Sequence, residues 1–255
     1  MVIAAPGCKL LTADFSNIEL RILADLSGDR GMLDAFERGL DLHSYTARMM
    51  FGLSESVDVK HEKAPGTPAT YRQVAKAINF GLVYGMSPYT LGQMLRIPKE
   101  KASELMNTYF RMYPGVTSWL RKARQQGVNS RYSVTVAGRK RYYSLPAVDS
   151  PDYRRVRSTV ERKAANSPIQ GSSADITKLA LALLWEEFSH EEDWFGQVRL
   201  VAVVHDEIVI ECPDILVHDV APAMARIMRD ACVRYLKKVK VPEPDVVISD
   251  CWEKE

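Results

Sequence analysis

The stretch Leu200–Cys212, LVAVVHDEIVIEC, constrains the fold more than any other part of the chain. Two apolar, β-branched runs, Val201–Val204 and Ile208–Ile210, flank the polar tripeptide His205–Glu207. This pattern predicts a buried β-hairpin with a charged tip. Turns usually contain Gly, Asn or Pro, whereas adjacent carboxylates repel each other unless a cation or solvent compensates their charge. The tip is therefore either a divalent-metal site or a solvated turn that keeps the hairpin soluble.

Charge is distributed unevenly along the chain. The formal net charge is +2, but Arg121–Lys163 contains twelve Lys and Arg against three acids, which gives +9 there and −7 elsewhere. A local basic patch is the expected footprint of a polyanion, although a solvated helix face is the commoner cause of a short charge run.

The four cysteines are far apart and form no CxxC pair, so the sequence indicates neither a zinc site nor a disulfide framework. This spacing fits a reducing compartment. The N-terminus lacks the basic region of a signal peptide, and no apolar run reaches membrane-spanning length. We therefore expect a cytoplasmic protein with no membrane partner.

A change of hydrophobic period marks Asp14. Lys9–Ala13 reads as a short strand, and from Ile18 the apolar residues recur at helical spacing as far as Leu26. We therefore expect Asp14 at a strand-to-helix junction, with Glu19 on the first turn of the helix.

Arg72, Lys76 and Phe80 recur every four residues and share one face of a predicted helix. Two cations and an aromatic ring suit a triphosphate with a base stacked beyond it. The alternative is an ordinary amphipathic helix with snorkelling cations. A helix is predicted from His43 to Met50. His43 either binds a ligand or has an ordinary packing or capping role.

We expect further elements along the chain: helices over Pro98–Tyr113, Gly115–Gln126, Tyr153–Ala165 and Val220–Lys240, a basic hairpin over Arg131–Tyr143, a helix opened by Ser172 with Asp175 as a capping box, and a strand near Val246–Ser249.

Four stretches resemble the polymerase core of the family A (polymerase I-like) DNA polymerases. DFSNIELR (Asp14–Arg21), RQVAKAINFGLVYG (Arg72–Gly85) and VHDE (Val204–Glu207) resemble motifs A, B and C, in the family's order and at similar separations. ERKAANSPIQGSSAD (Glu161–Asp175) is similar to the stretch that contacts the primer-template minor groove. The resemblance covers essentially all 255 residues.

The resemblance implies an α+β fold: a palm with an antiparallel sheet and a carboxylate hairpin, and mostly helical fingers. We assign residues 1–30 to the palm, 31–130 to the fingers, with the motif B helix at about 70–86, and 131–255 to the palm. The family's thumb, exonuclease-like domain and first palm segment precede motif A, and we expect them to be absent here. A partner polypeptide that carries the thumb and the N-terminal palm segment is then expected.

The resemblance also implies a two-metal nucleotidyl transfer with two Mg²⁺ ions, or Mn²⁺ as a substitute. Primer-template DNA and a dNTP would be the substrates. The metal ligands would be Asp14, Phe15 and Asp206, and Glu207 would join Asp14 and Asp206 as a catalytic residue that tunes the metal site or the primer terminus.

The implied substrate contacts extend to both nucleotide and DNA. Arg72 and Lys76 would hold the phosphates, Phe80 would pack on the sugar and base, and Tyr84 would pair with Glu19 as a steric gate against a 2′-hydroxyl. His43 completes the nucleotide-binding set. The predicted DNA contacts are Arg162, Asn166, Gln170 and His205.

The sequence departs mildly from the family pattern. Phe15 and Asn17 replace the Tyr and Gln of the common DYSQIELR, and Gln73 replaces a frequent second Arg. The metal and phosphate positions remain intact. The rival hypothesis is a non-catalytic primer-template-binding subunit, or an inactive polymerase fragment, that lacks turnover without a thumb.

Overall fold

The computed structural model describes residues 2–190 and 194–252. The chain divides into two compact units. The first comprises Met1–Ile18, Ser173–Lys237 and Val241–Glu255, and the second comprises Glu19–Ser172 and Lys238–Lys240. A sheet in one unit and a mainly helical composition in the other confirm the α+β class. The residue limits given above for palm and fingers stay a prediction.

The first unit is built on antiparallel strands. These are β1 (Val2–Ile3), β2 (Cys8–Asp14), β5 (Arg199–Val204), β6 (Glu207–Pro213), β7 (Val247–Ser249) and β8 (Cys251–Trp252). Four of them form one sheet in the order β5, β6, β2, β7, and β1 pairs with β8. Along β2 and β6, Ala13 faces Ile208 and Asp14 faces Glu207. This register places the end of β2 beside the tip of the β5–β6 hairpin.

The core of the first unit lies where the sheet meets α9 (Val217–Tyr235). Val220, Met224 and Met228 recur every four residues on the buried face of this helix. Ile208 and Ile210 of β6 are fully buried. Burial of β-branched residues on the central strands explains why the predicted hairpin forms.

The second unit is mainly helical. Its helices are α1 (Ile18–Ser27), α2 (Arg30–Glu37), α3 (Leu42–Phe51), α4 (Tyr71–Val83), α5 (Pro88–Leu95), α6 (Lys99–Met112), α7 (Pro114–Ser130) and the first part of α8 (Tyr153–His190). Side chains cap several N-termini: Asp29 caps α2, Asp41 caps α3, and Thr70 with Gln73 forms a capping box on α4. Asp29 also accepts the Gly115 N–H at 2.8 Å, so one carboxylate serves two helix ends.

The basic hairpin is confirmed as β3 (Tyr132–Val134) and β4 (Lys140–Tyr142). It lies against α8, where the Arg139 Nη2 donates to the Gly171 carbonyl at 3.0 Å. A Cβ on Gly171 would lie only 2.6 Å from the Thr135 Cγ2. Glycine is therefore required for this close approach of hairpin and helix.

The prediction of two helices on either side of residue 171 is wrong, because α8 is one helix from Tyr153 to His190. The predicted break relied on Ser172 as a cap. In the structure the Ser172 hydroxyl donates to the Pro168 carbonyl and accepts the Val136 N–H at 2.9 Å. A hydroxyl engaged with its own helix and with the hairpin does not cap a new helix.

Two further differences concern the end of α9 and the presence of α5. α9 ends at Tyr235 rather than near Lys240, because residues 238–240 bind elsewhere: Asp25 accepts the Val239 N–H at 3.2 Å, and Arg21 donates to the Lys240 carbonyl. α5 was not predicted, although Ser87 as N-cap and Pro88 at the first helical position are ordinary start signals.

Within residues 2–190 and 194–252, no helix combines the length and the apolar character needed to cross a membrane.

Candidate functional site

The tip of the β5–β6 hairpin consists of two residues, His205 and Asp206, between Val204 and Glu207. His205 has a left-handed φ of +60°, which lets the chain reverse without glycine. Asp14, at the end of β2, is the cross-strand partner of Glu207. The sheet thus collects three carboxylates, from Asp14, Asp206 and Glu207, at one end of adjacent strands.

Asp14 is exposed, and its Oδ1 accepts the Ser16 N–H at 2.8 Å and the Ser16 hydroxyl at 3.1 Å. Ser16 and Asn17 have φ of +37° and +61°, so the chain turns sharply from β2 into α1. The turn orients the Asp14 carboxylate through its own backbone, as an Asx-type contact does.

Burial and neighbouring negative charge both act on Asp206. Burial raises the pKa of this carboxyl above its ordinary value, and the nearby charges of Asp14 and Glu207 raise it further. A bound cation would reverse the sign of that effect, since it stabilises the ionised carboxylates.

The donor set suits Mg²⁺. In the described part of the chain, no cluster of three or more His, Cys, Asp or Glu side chains forms a metal site built from protein alone. Mg²⁺ is commonly held by one or two carboxylates together with substrate phosphates and water, all of them hard oxygen ligands. Asp14 and Asp206 provide such a pair. The Phe15 side chain is buried and apolar, so only its backbone carbonyl could serve as a ligand.

Sequence reasoning missed Trp252. Its indole N–H donates to Glu207 Oε1, and the pairing of Val2 with Trp252 fixes the backbone that carries it. No motif or periodicity indicated this contact, because the two residues are 45 positions apart and Trp252 is near the end of the chain.

In the second unit, α4 presents Arg72, Lys76 and Phe80 at four-residue intervals, as predicted. Arg72 makes a bidentate pair with Asp41, with Nε to Oδ2 at 2.7 Å and Nη2 to Oδ1 at 3.2 Å. Burial alone would raise the pKa of Asp41, but the hydrogen bonds from Arg72 and Ser44 outweigh it and hold that pKa far below its ordinary value. Asp41 occupies the Nε side of the guanidinium and leaves the Nη1 end for another ligand.

Lys76 is exposed, and its ammonium makes no hydrogen bond or ion pair with the residues that the structure describes. Phe80 is partly buried, and its ring centroid lies 5.3 Å from that of His43. The stripe therefore offers one cation held by a carboxylate, one exposed cation without a partner among the described residues, and one aromatic ring.

His43 is 3% exposed, and its Nδ1 accepts a hydrogen bond from the Asn79 amide at 3.0 Å. The same amide contacts the Thr46 hydroxyl, which is 2.9 Å from the Tyr113 hydroxyl. Burial, with smaller contributions from Arg72 and Lys76, lowers the pKa of His43 to about 4. This environment favours the packing interpretation, and the nucleotide-binding role of His43 stays a prediction.

The predicted contact between Tyr84 and Glu19 is present. The Tyr84 hydroxyl donates to Glu19 Oε2 at 2.8 Å, and the Tyr84 side chain is exposed. Gly85 follows with φ of +70°, and a Cβ there would lie 3.2 Å from Cγ of Arg162. The motif B helix thus ends against the basic part of α8.

Arg162, Asn166 and Gln170 recur every four residues on α8 and share one face, which the predicted end of the basic helix at Ala165 did not foresee. Arg162 and Gln170 are exposed. Asn166 Oδ1 is enclosed and has no hydrogen-bond partner in the described part of the chain. Their role in DNA binding, like that of His205 in the first unit, stays a prediction.

Comparison with known proteins identifies the family. The model for DNA polymerase family A matches residues 1–254. DNA polymerase I of Thermus aquaticus is 37% identical over 252 residues, which is 98% of this chain and 28% of the relative. DNA polymerase I of Geobacillus stearothermophilus is 41% identical over 208 residues, which is 82% of this chain and 22% of the relative.

A solved structure agrees. The POL domain of Pol1 from M. smegmatis, in complex with DNA primer-template and dNTP, superposes with a TM-score of 0.80 at 35% identity, covering 98% of this chain and 41% of that one. The chain spans less than a third of the length of these two curated relatives. On the sequence motifs, the fold and these matches, the chain belongs to DNA polymerase family A.

Proposed function

We propose that the chain catalyses template-directed DNA synthesis, joining the α-phosphate of a dNTP to a primer 3′-hydroxyl. The observation that carries the proposal is the placement of the Asp14 and Asp206 carboxylates at the same end of adjacent strands, where their charges already repel. Juxtaposed carboxylates also repel phosphate, so they favour a reaction that brings cations with its substrate over simple DNA binding.

Asp14, Asp206 and the Phe15 carbonyl would hold two Mg²⁺ ions, or Mn²⁺ in their place. When bound, these ions activate the 3′-hydroxyl and neutralise the charge of the departing pyrophosphate. The protein contributes orientation: Ser16 fixes the Asp14 carboxylate, and Trp252 fixes that of Glu207. Glu207 is thereby kept beside the metal ligands, where it tunes their charge.

Arg72 and Lys76 would bind the triphosphate. Asp41 fixes the plane of the Arg72 guanidinium and leaves its Nη1 end free, so that two parallel N–H donors can meet phosphate oxygens. Lys76 adds a movable point charge, and Phe80 would pack on the sugar and base.

Selection of the sugar would depend on Tyr84 and Glu19. Their hydrogen bond at 2.8 Å ties the aromatic ring to a carboxylate that a 2′-hydroxyl would have to displace. Arg162, Asn166, Gln170 and His205 would contact the primer-template. Donors that meet minor-groove acceptors read A·T and T·A pairs alike, which suits an enzyme that copies any sequence.

We extend the proposal to a polypeptide partner that carries a thumb and an N-terminal palm segment. Val201 and Val203 of the edge strand β5 are exposed, as are Val247 and Ile248 at the opposite edge. Exposed apolar residues on sheet edges favour coverage by another segment. Without such a partner we expect weak, distributive synthesis, because the chain then neutralises few phosphates and binds duplex DNA with low affinity.

Primer extension with Mg²⁺ tests the proposal and separates it from a non-catalytic DNA-binding role. The parental chain should extend a primer, and Asp14→Ala and Asp206→Ala should abolish extension while retaining primer-template binding. Glu186→Ala is the matched control, since Glu186 is an exposed acid on α8 of the same unit. DNA binding without extension by the parental chain, alone and with a supplied thumb segment, would establish the non-catalytic alternative instead.

A further inference from the structure

A cationic groove lies between α7 and the N-terminal half of α8, within the second unit. Its volume is about 540 Å³, and one aromatic and two aliphatic side chains contribute apolar surface to it. Its polar lining includes Arg121 and Arg124 from α7 and Arg157 and Glu161 from α8. The three arginines lie outside the four stretches that resemble the family, and Glu161 is the first residue of one of them. None of the four is among the predicted nucleotide-binding or DNA-binding residues.

The cations of the groove outnumber their partners. Arg157 Nε donates to Glu161 at 2.9 Å, which accounts for the single carboxylate. Arg121 and Arg124 make no hydrogen bond or ion pair within residues 2–190 and 194–252, and Arg124 Nε is enclosed by protein. Enclosed donors without an acceptor are rare in folded proteins, and two unpaired guanidiniums on one wall repel each other. The groove is therefore short of anionic oxygen atoms.

The combination of features points to a strand rather than to a compact anion. Guanidinium forks match phosphate oxygens, and Arg121 and Arg124 are three residues apart, on the same side of α7. The lining also contains an aromatic residue, Phe110. A cationic groove with an adjacent aromatic side chain is the usual design of surfaces that bind single-stranded nucleic acid.

We propose that this groove binds the sugar–phosphate backbone of a single-stranded nucleic acid through Arg121, Arg124 and Arg157. The proposal rests on the proposed function in one respect, namely that the strand would be an unpaired part of the template. The groove is distinct from the face of α8 that carries Arg162, because Arg157 and Glu161 occupy other positions around the helix.

The test is equilibrium binding of a labelled single-stranded oligonucleotide, measured by fluorescence anisotropy without dNTP over a range of salt concentrations. Arg121→Met and Arg124→Met each remove one cation from the groove and keep much of the apolar stem. Lys122→Met is the matched control, because Lys122 is an exposed cation on the same helix that does not line the groove. Equal urea midpoints for the three variants and the parent establish that the fold is retained.

We expect each arginine variant to weaken binding by about 5- to 10-fold, for partly exposed charge-assisted contacts. We also expect each to reduce the slope of log K against log salt by about 0.7. Lys122→Met should change binding less than 2-fold, by roughly the effect of a distant screened charge.

Four outcomes would overturn the inference. If Lys122→Met weakened oligonucleotide binding as much as the arginine variants do, binding would depend on the overall positive charge and not on the groove. If inorganic pyrophosphate displaced the oligonucleotide from the parent but not from Arg124→Met, the groove would be a site for free phosphates. If the parent bound the oligonucleotide and no arginine variant weakened that binding, the inference about the groove would be wrong and the proposed function would be unaffected. If the parental chain bound no DNA, both would be wrong.

Discussion

Acidification should destabilise the fold through His43, and the structure gives the size of the effect. His43 is buried, and its Nδ1 accepts a hydrogen bond from the Asn79 amide. A proton on Nδ1 would convert that acceptor into a donor that faces another donor. Burial, with smaller contributions from Arg72 and Lys76, lowers the folded-state pKa of His43 to about 4 from an ordinary value of 6.5.

The sign and magnitude follow from linkage. A group whose pKa is depressed by folding contributes stability that is fully present above the unfolded pKa, and that stability is lost as the pH falls through 6.5 towards 4. Between about pH 7 and about pH 4.5 the loss attributable to His43 is roughly 2.5 kcal/mol. The Asp41–Arg72 pair is lost only at still lower pH, because the pKa of Asp41 is far below its ordinary value.

The assay is urea unfolding of the parent and of His43→Gln at these two pH values. Gln can still accept from Asn79 but does not titrate, so we expect the variant to be about 1 kcal/mol less stable at neutral pH. Its loss on acidification should be roughly 2.5 kcal/mol smaller than that of the parent. Equal losses in the two proteins, or an imidazole pKa near 6.5 by NMR, would refute the assigned environment.

The remaining predictions concern the nucleotide. Arg72→Ala and Lys76→Ala should each raise the dNTP concentration needed for extension, by about 10-fold or more, since each removes a charge-assisted contact of about 1.5 kcal/mol; steady-state titration of dNTP measures this. Glu19→Ala should admit ribonucleotides, because Tyr84 loses the partner that holds it; unchanged rNTP incorporation would contradict the gate. Phe80→Tyr should relax discrimination against dideoxynucleotides, since the added hydroxyl can replace the missing 3′-hydroxyl; competition between dNTP and ddNTP shows the ratio.

Local sequence patterns predicted the elements that carry the proposed chemistry. The apolar, β-branched runs on either side of the His205–Glu207 tripeptide predicted β5 and β6, and the four-residue spacing of Arg72, Lys76 and Phe80 predicted α4. These predictions needed no knowledge of distant parts of the chain.

Features that depend on distant contacts were not predictable in the same way. The continuity of α8 depends on Ser172 binding the hairpin backbone at Val136, and the end of α9 depends on Asp25. The pairing of Asp41 with Arg72 and that of Trp252 with Glu207 join residues 31 and 45 positions apart. Sequence periodicity reports which face a residue occupies, but it does not report which residue comes to lie opposite it.

The most direct test of the central claim is single-turnover incorporation on four primer-templates that differ only in the templating base. With Mg²⁺, the parental chain should add the complementary dNTP to each primer and leave the other three dNTPs largely unused. Asp206→Asn, which keeps the size of the side chain and removes its charge, should bind the same DNA and add none. Incorporation that ignores the templating base, or an Asp206→Asn variant that works at the parental rate, would contradict template-directed synthesis at these carboxylates.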